Sequence, residues 1–321
     1  MSASAGRDSL ECGEPTCTTL TFAVDGPVAR IMLNRPERGN AITFDMAREL
    51  ARCVEWADLH PEVHVIALAG NGTGFCGGYD LAIAAESLSG YDAENAGAGR
   101  CPPEGPLDPA VLAGNHDPRR VWDPVTDYQM MRRNVRAFMS LFHSEKPVLC
   151  KVHGFCVAGG TDLALCADLL VVADDAKIGY PPARVWGSPT TALWAARLGV
   201  ARAKRLLFTG DCISGREAYE WGLACESAPR DQLDDRFEAL VQRVARLPIN
   251  QLVMQKILVN QALFAQGLHA TQVLGTFFDG IARHTPEGYD FQRRAAESGW
   301  REAVRLRDEP FGDVGLSTHK G

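Results

Sequence analysis

Two glycine-rich segments, each directly following a short apolar run, constrain this chain more than any other feature. Gly70-Asn-Gly-Thr-Gly-Phe-Cys-Gly-Gly-Tyr-Asp80 follows His64–Ala69, and Lys151-Val-His-Gly-Phe-Cys-Val-Ala-Gly-Gly-Thr-Asp162 follows Val148–Val152. Glycine lets the backbone approach a ligand oxygen closely, and a helix opening at such a glycine aims free N–H groups and its positive dipole end there. Two such turns can hold one developing oxyanion between them.

The first turn also satisfies G-x-G-x-x-G through Gly72, Gly74 and Gly77. A dinucleotide-binding turn needs an unbroken helix next, then a strand ending in an acidic residue about twenty residues on. Here that distance falls among Asp92, Glu94 and a stretch rich in glycine and proline. A nicotinamide or flavin site is therefore not expected.

The surrounding pattern is α/β. Leu20–Val24 and Val28–Leu33 flank Asp25-Gly26-Pro27 and predict a hairpin, because Asp-Gly is a turn signal between two apolar runs. Leu50, Val54 and Ala57 recur at helical spacing within 45–59, with Thr43 or Asp45 as cap, and His64–Ala69 is the next strand, so strand, helix and strand predict a βαβ crossover. Residues 86–124 hold five glycines and six prolines, too many for one regular element, and predict either a disordered loop or a pocket lid to which Trp122 and Tyr128 contribute apolar walls. Helical spacing resumes over 126–142. Ser214-Gly-Arg-Glu217 is a capping box, and beyond Asp231 four helices are expected, over 231–246, 250–261, 268–283 and 288–307. The expected division is a mobile segment over 1–17, a core over 18–229 with 86–124 inserted, and a helical, oligomerising region over 230–321.

A chain of 321 residues, 46% hydrophobic, can bury a large core, and a net charge of −7 gives no general basic surface for nucleic acid or anionic membrane. The first residues contain no apolar leader core, and the apolar stretch 163–173 carries Asp168 and is too short to span a bilayer. A soluble cytoplasmic protein is expected. Of ten cysteines, Cys53, Cys76, Cys150, Cys156 and Cys166 sit in apolar runs and read as small hydrophobes rather than disulfide partners. His60-Pro-Glu-Val-His64 has the wrong order and a proline against a zinc helix, so no metal site is expected.

Four ordered stretches now carry a specific resemblance: Asn34-Arg-Pro-Glu-Arg-Gly-Asn-Ala41, Gly72 to Leu81, Lys146-Pro147 through Asp168, and Phe208 to Asp211 with Ser214 to Leu223. Over roughly residues 20–229 the chain resembles the enoyl-CoA hydratase/isomerase (crotonase) superfamily. The resemblance implies a crotonase-like ββα spiral core with a C-terminal helical region packing into a homotrimer or dimer of trimers. It implies an acyl-CoA thioester substrate, coenzyme A as part of that substrate and no separate cofactor, and an enolate stabilised by backbone N–H groups at Gly77 and Gly159. A hydratase-like lyase of fatty acid metabolism is the first expectation; a CoA-dependent isomerase, hydrolase or decarboxylase, or a binding protein without turnover, stays open.

By the same resemblance, Asp162 stands where hydratases carry one of two catalytic glutamates, shortened by one methylene, and is expected to be catalytic. The other glutamate position holds Pro182, which cannot transfer a proton. Tyr180, Arg184, Asp80, His116, Asp117, Asp123 and His143 are the possible substitutes. Arg38 in the Arg35–Asn40 turn is expected to meet a coenzyme phosphate, and Gly77, Gly78, Tyr79, Asp80 and Gly159 to surround the thioester. His153 beside Gly154 is expected to be a hydrogen-bonded structural residue.

Overall fold

The computed structural model describes residues 13–81 and 104–312. Most of the segment expected to be mobile at the start of the chain, and the first part of the 86–124 insertion, lie outside the described residues.

Strands β1 (Leu20–Asp25) and β2 (Val28–Leu33) form the expected antiparallel hairpin. Helix α1 (Phe44–Leu59) starts at Thr43, whose hydroxyl accepts the Met46 N–H at 3.1 Å, and leads to β3 (Val65–Gly70), which pairs parallel to β2. The crossover buries one face of α1, through Met46, Leu50, Cys53, Val54 and Ala57. Every residue of β3 is buried, as a parallel strand covered on both faces requires.

Beyond α2 (Pro109–His116) and α3 (Pro124–His143), strands alternate between two sheets. β4 (Val148–Val152) and β6 (Leu169–Ala173) join the large sheet, while β5 (Phe155–Val157) and β7 (Lys177–Gly179) join a small one. Short helix α4 (Gly159–Ala164) follows β5, and α5 (Trp194–Thr209), interrupted at Gly199, follows β7. β8 (Cys212–Ser214) closes the small sheet, α6 (Gly215–Glu220) opens with the capping box at Ser214 and Glu217, and β9 (Glu226–Ala228) ends the large sheet. The large sheet runs β1-β2-β3-β4-β6-β9 and the small one β5-β7-β8. This repeated passage from large sheet to small sheet to helix is the ββα spiral.

Five helices and a short final turn complete the described chain: α7 (Leu233–Ala245), α8 (Ile249–Ala265), α9 (Leu268–Arg283) and, where one helix over 288–307 is predicted, two, α10 (Pro286–Ser298) and α11 (Trp300–Asp308). They part at Gly299, whose φ of +85° is a left-handed value that a helix cannot contain. α8 is pinned to the core by Lys256, which donates to the Leu141 and Lys146 carbonyls and lies 2.8 Å from Asp168. α9 packs along α3. Cys53, Cys76, Cys150, Cys156 and Cys166 are all free and buried. Among the described residues no helix is long and apolar enough to cross a membrane.

Candidate active site

The two glycine turns meet face to face. A Cβ placed on Gly78 would lie 2.8 Å from the Ala158 Cβ and 3.4 Å from the Gly159 nitrogen, and one on Gly159 would lie 2.8 Å from the Tyr79 ring. With Gly78 at φ +99°, only glycine fits both the conformation and the gap. Ala158, at φ +54° and ψ −130°, is strained just before α4, and such strain persists where the surrounding structure enforces it.

The first turn is stapled from the Arg35–Asn40 turn. Asn40, fully buried, donates through its amide to the carbonyls of Asn71, Gly74 and Phe75 at 2.8–3.0 Å, while its Oδ1 accepts the Arg35 N–H. Arg35 in turn holds Asp80 at 2.9 Å. Asp80 is thus held as an anchor of the loop. Arg38 is exposed, with no side-chain partner among the described residues, and so is free to meet an anion.

Donor occupancy bears on the expectation for Gly77. The Gly77 N–H donates to the Gly39 carbonyl at 2.9 Å, so that group is already engaged in holding the two turns together. The neighbouring carbonyl of Gly78 accepts from Ile42, and the Asp80 N–H donates to Ile42. Tyr79 is left between them, its N–H without a partner among the described residues, as is that of Gly159 at the first turn of α4. Tyr79 and Gly159 are therefore the candidate donor pair. The glycine-rich pattern marks the loop, but which N–H stays free is decided by Gly39, more than thirty residues upstream.

Asp162 sits one turn into α4 and is fully buried. Its Oδ1 accepts the Thr191 N–H at 3.0 Å and the Thr191 hydroxyl at 2.9 Å, while Oδ2 has no hydrogen-bond partner. Burial raises its pKa to about 7, against the pull of the Thr191 donors. A carboxyl poised near neutrality, with one oxygen held and the other unengaged, is equipped to exchange protons. The Tyr79 hydroxyl is also buried without a good partner; burial, with the charge of Asp162 adding, holds it well above the usual phenol range. Tyr180 is buried and raised in the same way.

The other candidates for a second acid lie elsewhere. Arg184 is tied to Asp211, Asp308 and the Thr209 carbonyl. Asp117 pairs with Arg119 at the surface, Asp123 caps α3, and His143 stacks on Phe264. His116 is packed on His284 of the loop after α9, its pKa lowered to about 4 by burial and the Arg283 charge. The described half of the insertion follows the same direction: Trp122 donates to Asp127 and stacks on His284, and Tyr128 stacks on Phe277. These two rings pack on α9 and its end. His153 donates its Nε2–H to the Gly72 carbonyl at 2.9 Å, a structural contact. Two surface clefts lie away from this chemistry, one beside Arg30, Lys151 and Glu238 and one beside Asp58 and Met254. The site is instead the closed junction of the two turns with Asp162. Among the described residues, no His, Cys, Asp or Glu cluster is gathered as metal ligands would be.

This geometry meets an independent match: the model of the enoyl-CoA hydratase/isomerase family aligns with residues 24–97 and 120–285. The chain belongs to the enoyl-CoA hydratase/isomerase family. A crystal structure of an enoyl-CoA hydratase from Mycobacterium smegmatis is 53% identical, covering 95% of this chain and 98% of its own, with a TM-score of 0.86. The 1,2-epoxyphenylacetyl-CoA isomerase of Escherichia coli is 28% identical over 88% of this chain and 92% of its own length. A peroxisomal Delta(3,5)-Delta(2,4)-dienoyl-CoA isomerase of Arabidopsis thaliana is 26% identical over 68% of this chain and 72% of its own. The fold is the crotonase fold, and relatives within the family carry both hydratase and isomerase names.

Proposed function

We propose that this chain acts on an acyl-CoA thioester through an enolate, and that its reaction is the hydration of a 2-enoyl-CoA or the reverse elimination. The observation that carries the reading is Asp162: buried, held on one oxygen by Thr191, with a pKa of about 7 and an unengaged second oxygen, in the same short helix that opens at Gly159. In the forward direction, Asp162 as carboxylate takes a proton from water, and the hydroxide oxygen bonds to the β-carbon. The double-bond electrons move toward the thioester, whose oxygen takes up negative charge between the Tyr79 and Gly159 N–H groups. The enolate then collapses by gaining a proton at the α-carbon. Coenzyme A enters as part of the substrate, with Arg38 available to its phosphates.

Pro182 supports a second reading, positional isomerisation, in which a single acid/base shuttles one proton between two carbons without water. The assay that separates the two follows the conjugated enoyl-thioester absorbance: hydration of crotonyl-CoA removes it, and isomerisation of a 3-enoyl-CoA creates it. Calorimetric binding of both compounds with no change in either absorbance would favour a protein that binds acyl-CoA without turning it over.

A further inference from the structure

The C-terminal helix α9 brings a second buried carboxyl to this junction. Gln272, Gly275, Thr276, Asp279 and Arg283 recur every three to four residues and form one side of the helix. That side lies on the segment Ser188–Thr191. A Cβ on Gly275 would sit 2.9 Å from the Pro189 carbonyl oxygen, Gln272 donates to the Thr191 carbonyl at 3.0 Å, and the Ser188 N–H donates to Asp279. Thr191, at the other end of the same four residues, holds Asp162. One short stretch of backbone therefore fixes both carboxyls.

Asp279 is not fully satisfied where it sits. It is 8% exposed, and its Oδ2 lies 3.2 Å from the Arg283 Nη1 but makes no hydrogen bond of good geometry among the described residues. The Arg283 Nε and Nη2 are likewise buried without hydrogen bonds, Nη2 standing 3.5 Å from Asp127. Leaving such groups unpaired costs roughly 1–3 kcal/mol each unless water or a ligand atom completes them. An incompletely paired buried carboxyl next to a reaction site is better explained by a partner that comes and goes than by fold stability.

We propose that Asp279 is the second carboxyl of the reaction, supplying the α-carbon proton while Asp162 serves the β-carbon, in place of the acid that Pro182 lacks. The inference rests on the enolate reading above. In the hydration direction the Asp279 acid gives its proton to the α-carbon of the enolate and becomes a carboxylate, while Asp162 ends protonated by water. One proton passing from Asp162 to Asp279 through solvent resets the pair. Burial holds both carboxyls above the usual range, with Arg283 drawing Asp279 part of the way back. The ionisable groups around Asp279 are Arg283 on its own helix, Asp127 from α3, Asp162 from α4, and the Tyr79 and Tyr180 hydroxyls.

The test compares Asp279→Asn, Asp279→Glu and Asp162→Asn in the full chain, with crotonyl-CoA as probe. It reads turnover across pH, solvent-deuterium incorporation at the α-carbon, and Tm. Asp279→Asn is expected to lower kcat about 100-fold or more, within the range of general acid–base catalysis, with KM within about threefold. It should also erase one limb of the pH–rate profile and slow α-deuteration in parallel, and Asp279→Glu should restore part of both. The proposal is overturned if Asp279→Asn keeps kcat and both limbs, or if its loss of rate comes with a lowered Tm, both limbs intact and no rescue by glutamate. If Asp162→Asn abolishes turnover and deuteration while Asp279→Asn does not, only this inference falls. If both variants match the wild type in both readouts, the enolate reading falls with it.

Discussion

Thr191 donates both its N–H and its hydroxyl to the same oxygen of Asp162, at 3.0 and 2.9 Å, and leaves the other oxygen buried and unpartnered. The carboxyl is thereby fixed in orientation without being neutralised. Asp162→Asn keeps the shape and the Thr191 contacts but cannot take a proton, so kcat on crotonyl-CoA should fall by roughly 10²–10⁴ with KM changed far less. Steady-state kinetics check this; a kcat within threefold of wild type would remove Asp162 from the chemistry.

The pKa of Asp162 carries a sign that can be read twice. As the base for hydration it must be ionised, so kcat/KM should rise as pH increases through about 7. Stability should move the other way. The native state keeps this proton up to about 7 while the unfolded chain releases it near 3.8, so stability falls as pH rises between those values and then levels. At roughly 1.4 kcal/mol per unit the effect is on the order of 4 kcal/mol. Asp162→Asn should therefore unfold at a higher Tm than wild type at pH 8, with the gap closing toward pH 4; calorimetry at the two pH values reads the difference.

The two glycines expected to form the oxyanion site should respond differently to one methyl group. At Gly159 a Cβ would meet the Tyr79 ring at 2.8 Å and the Ile42 side chain at 3.2 Å, so Gly159→Ala must displace one of the two free donors or its neighbour. Loss of one such donor costs ~10²–10³ in kcat in the protease precedent. At Gly77 the nearest atoms would be 3.5 Å away, an ordinary contact, and its N–H serves Gly39. Gly77→Ala should keep kcat within a few-fold. Equal losses in the two variants would return Gly77 to the oxyanion site.

Sequence reading reaches local structure and falters at long-range pairing. The hairpin at Asp25-Gly26, the Thr43 cap, the βαβ crossover and the capping box at Ser214 are each encoded within a few residues, and each forms. Asp162 is legible because it shares a motif with Gly159. Tyr79 as a donor is hidden, because freeing its N–H depends on what Gly39 and Ile42 do with the neighbouring groups. Asp279 carries no sequence signal: an aspartate inside an amphipathic helix reads as solvated until α9 is laid against Ser188–Thr191. The aromatic residues of the insertion were legible as apolar but not as to their partners, His284 and Phe277.

The face of α9 opposite Asp279 gives the last prediction. Leu274, Phe278 and Ile281 are exposed and lie roughly half a turn away from the buried Gln272–Thr276–Asp279 side, and Met254, Ile257 and Leu258 are exposed along α8. Scattered exposed apolar residues are ordinary, but two aligned stripes on neighbouring helices suit an interface better than solvent. Because the inner side of α9 touches the segment that holds Asp162, covering its outer side should also steady the site. The wild-type chain should therefore sediment as an oligomer at micromolar concentration, of three or six copies as the family resemblance implies, and Leu258→Asp combined with Phe278→Asp should shift it to smaller species. Turnover should fall along with assembly, although neither residue is placed in the chemistry. A wild type that sediments as a monomer while fully active would show that α9 holds its position unaided and that these stripes are not an interface between copies.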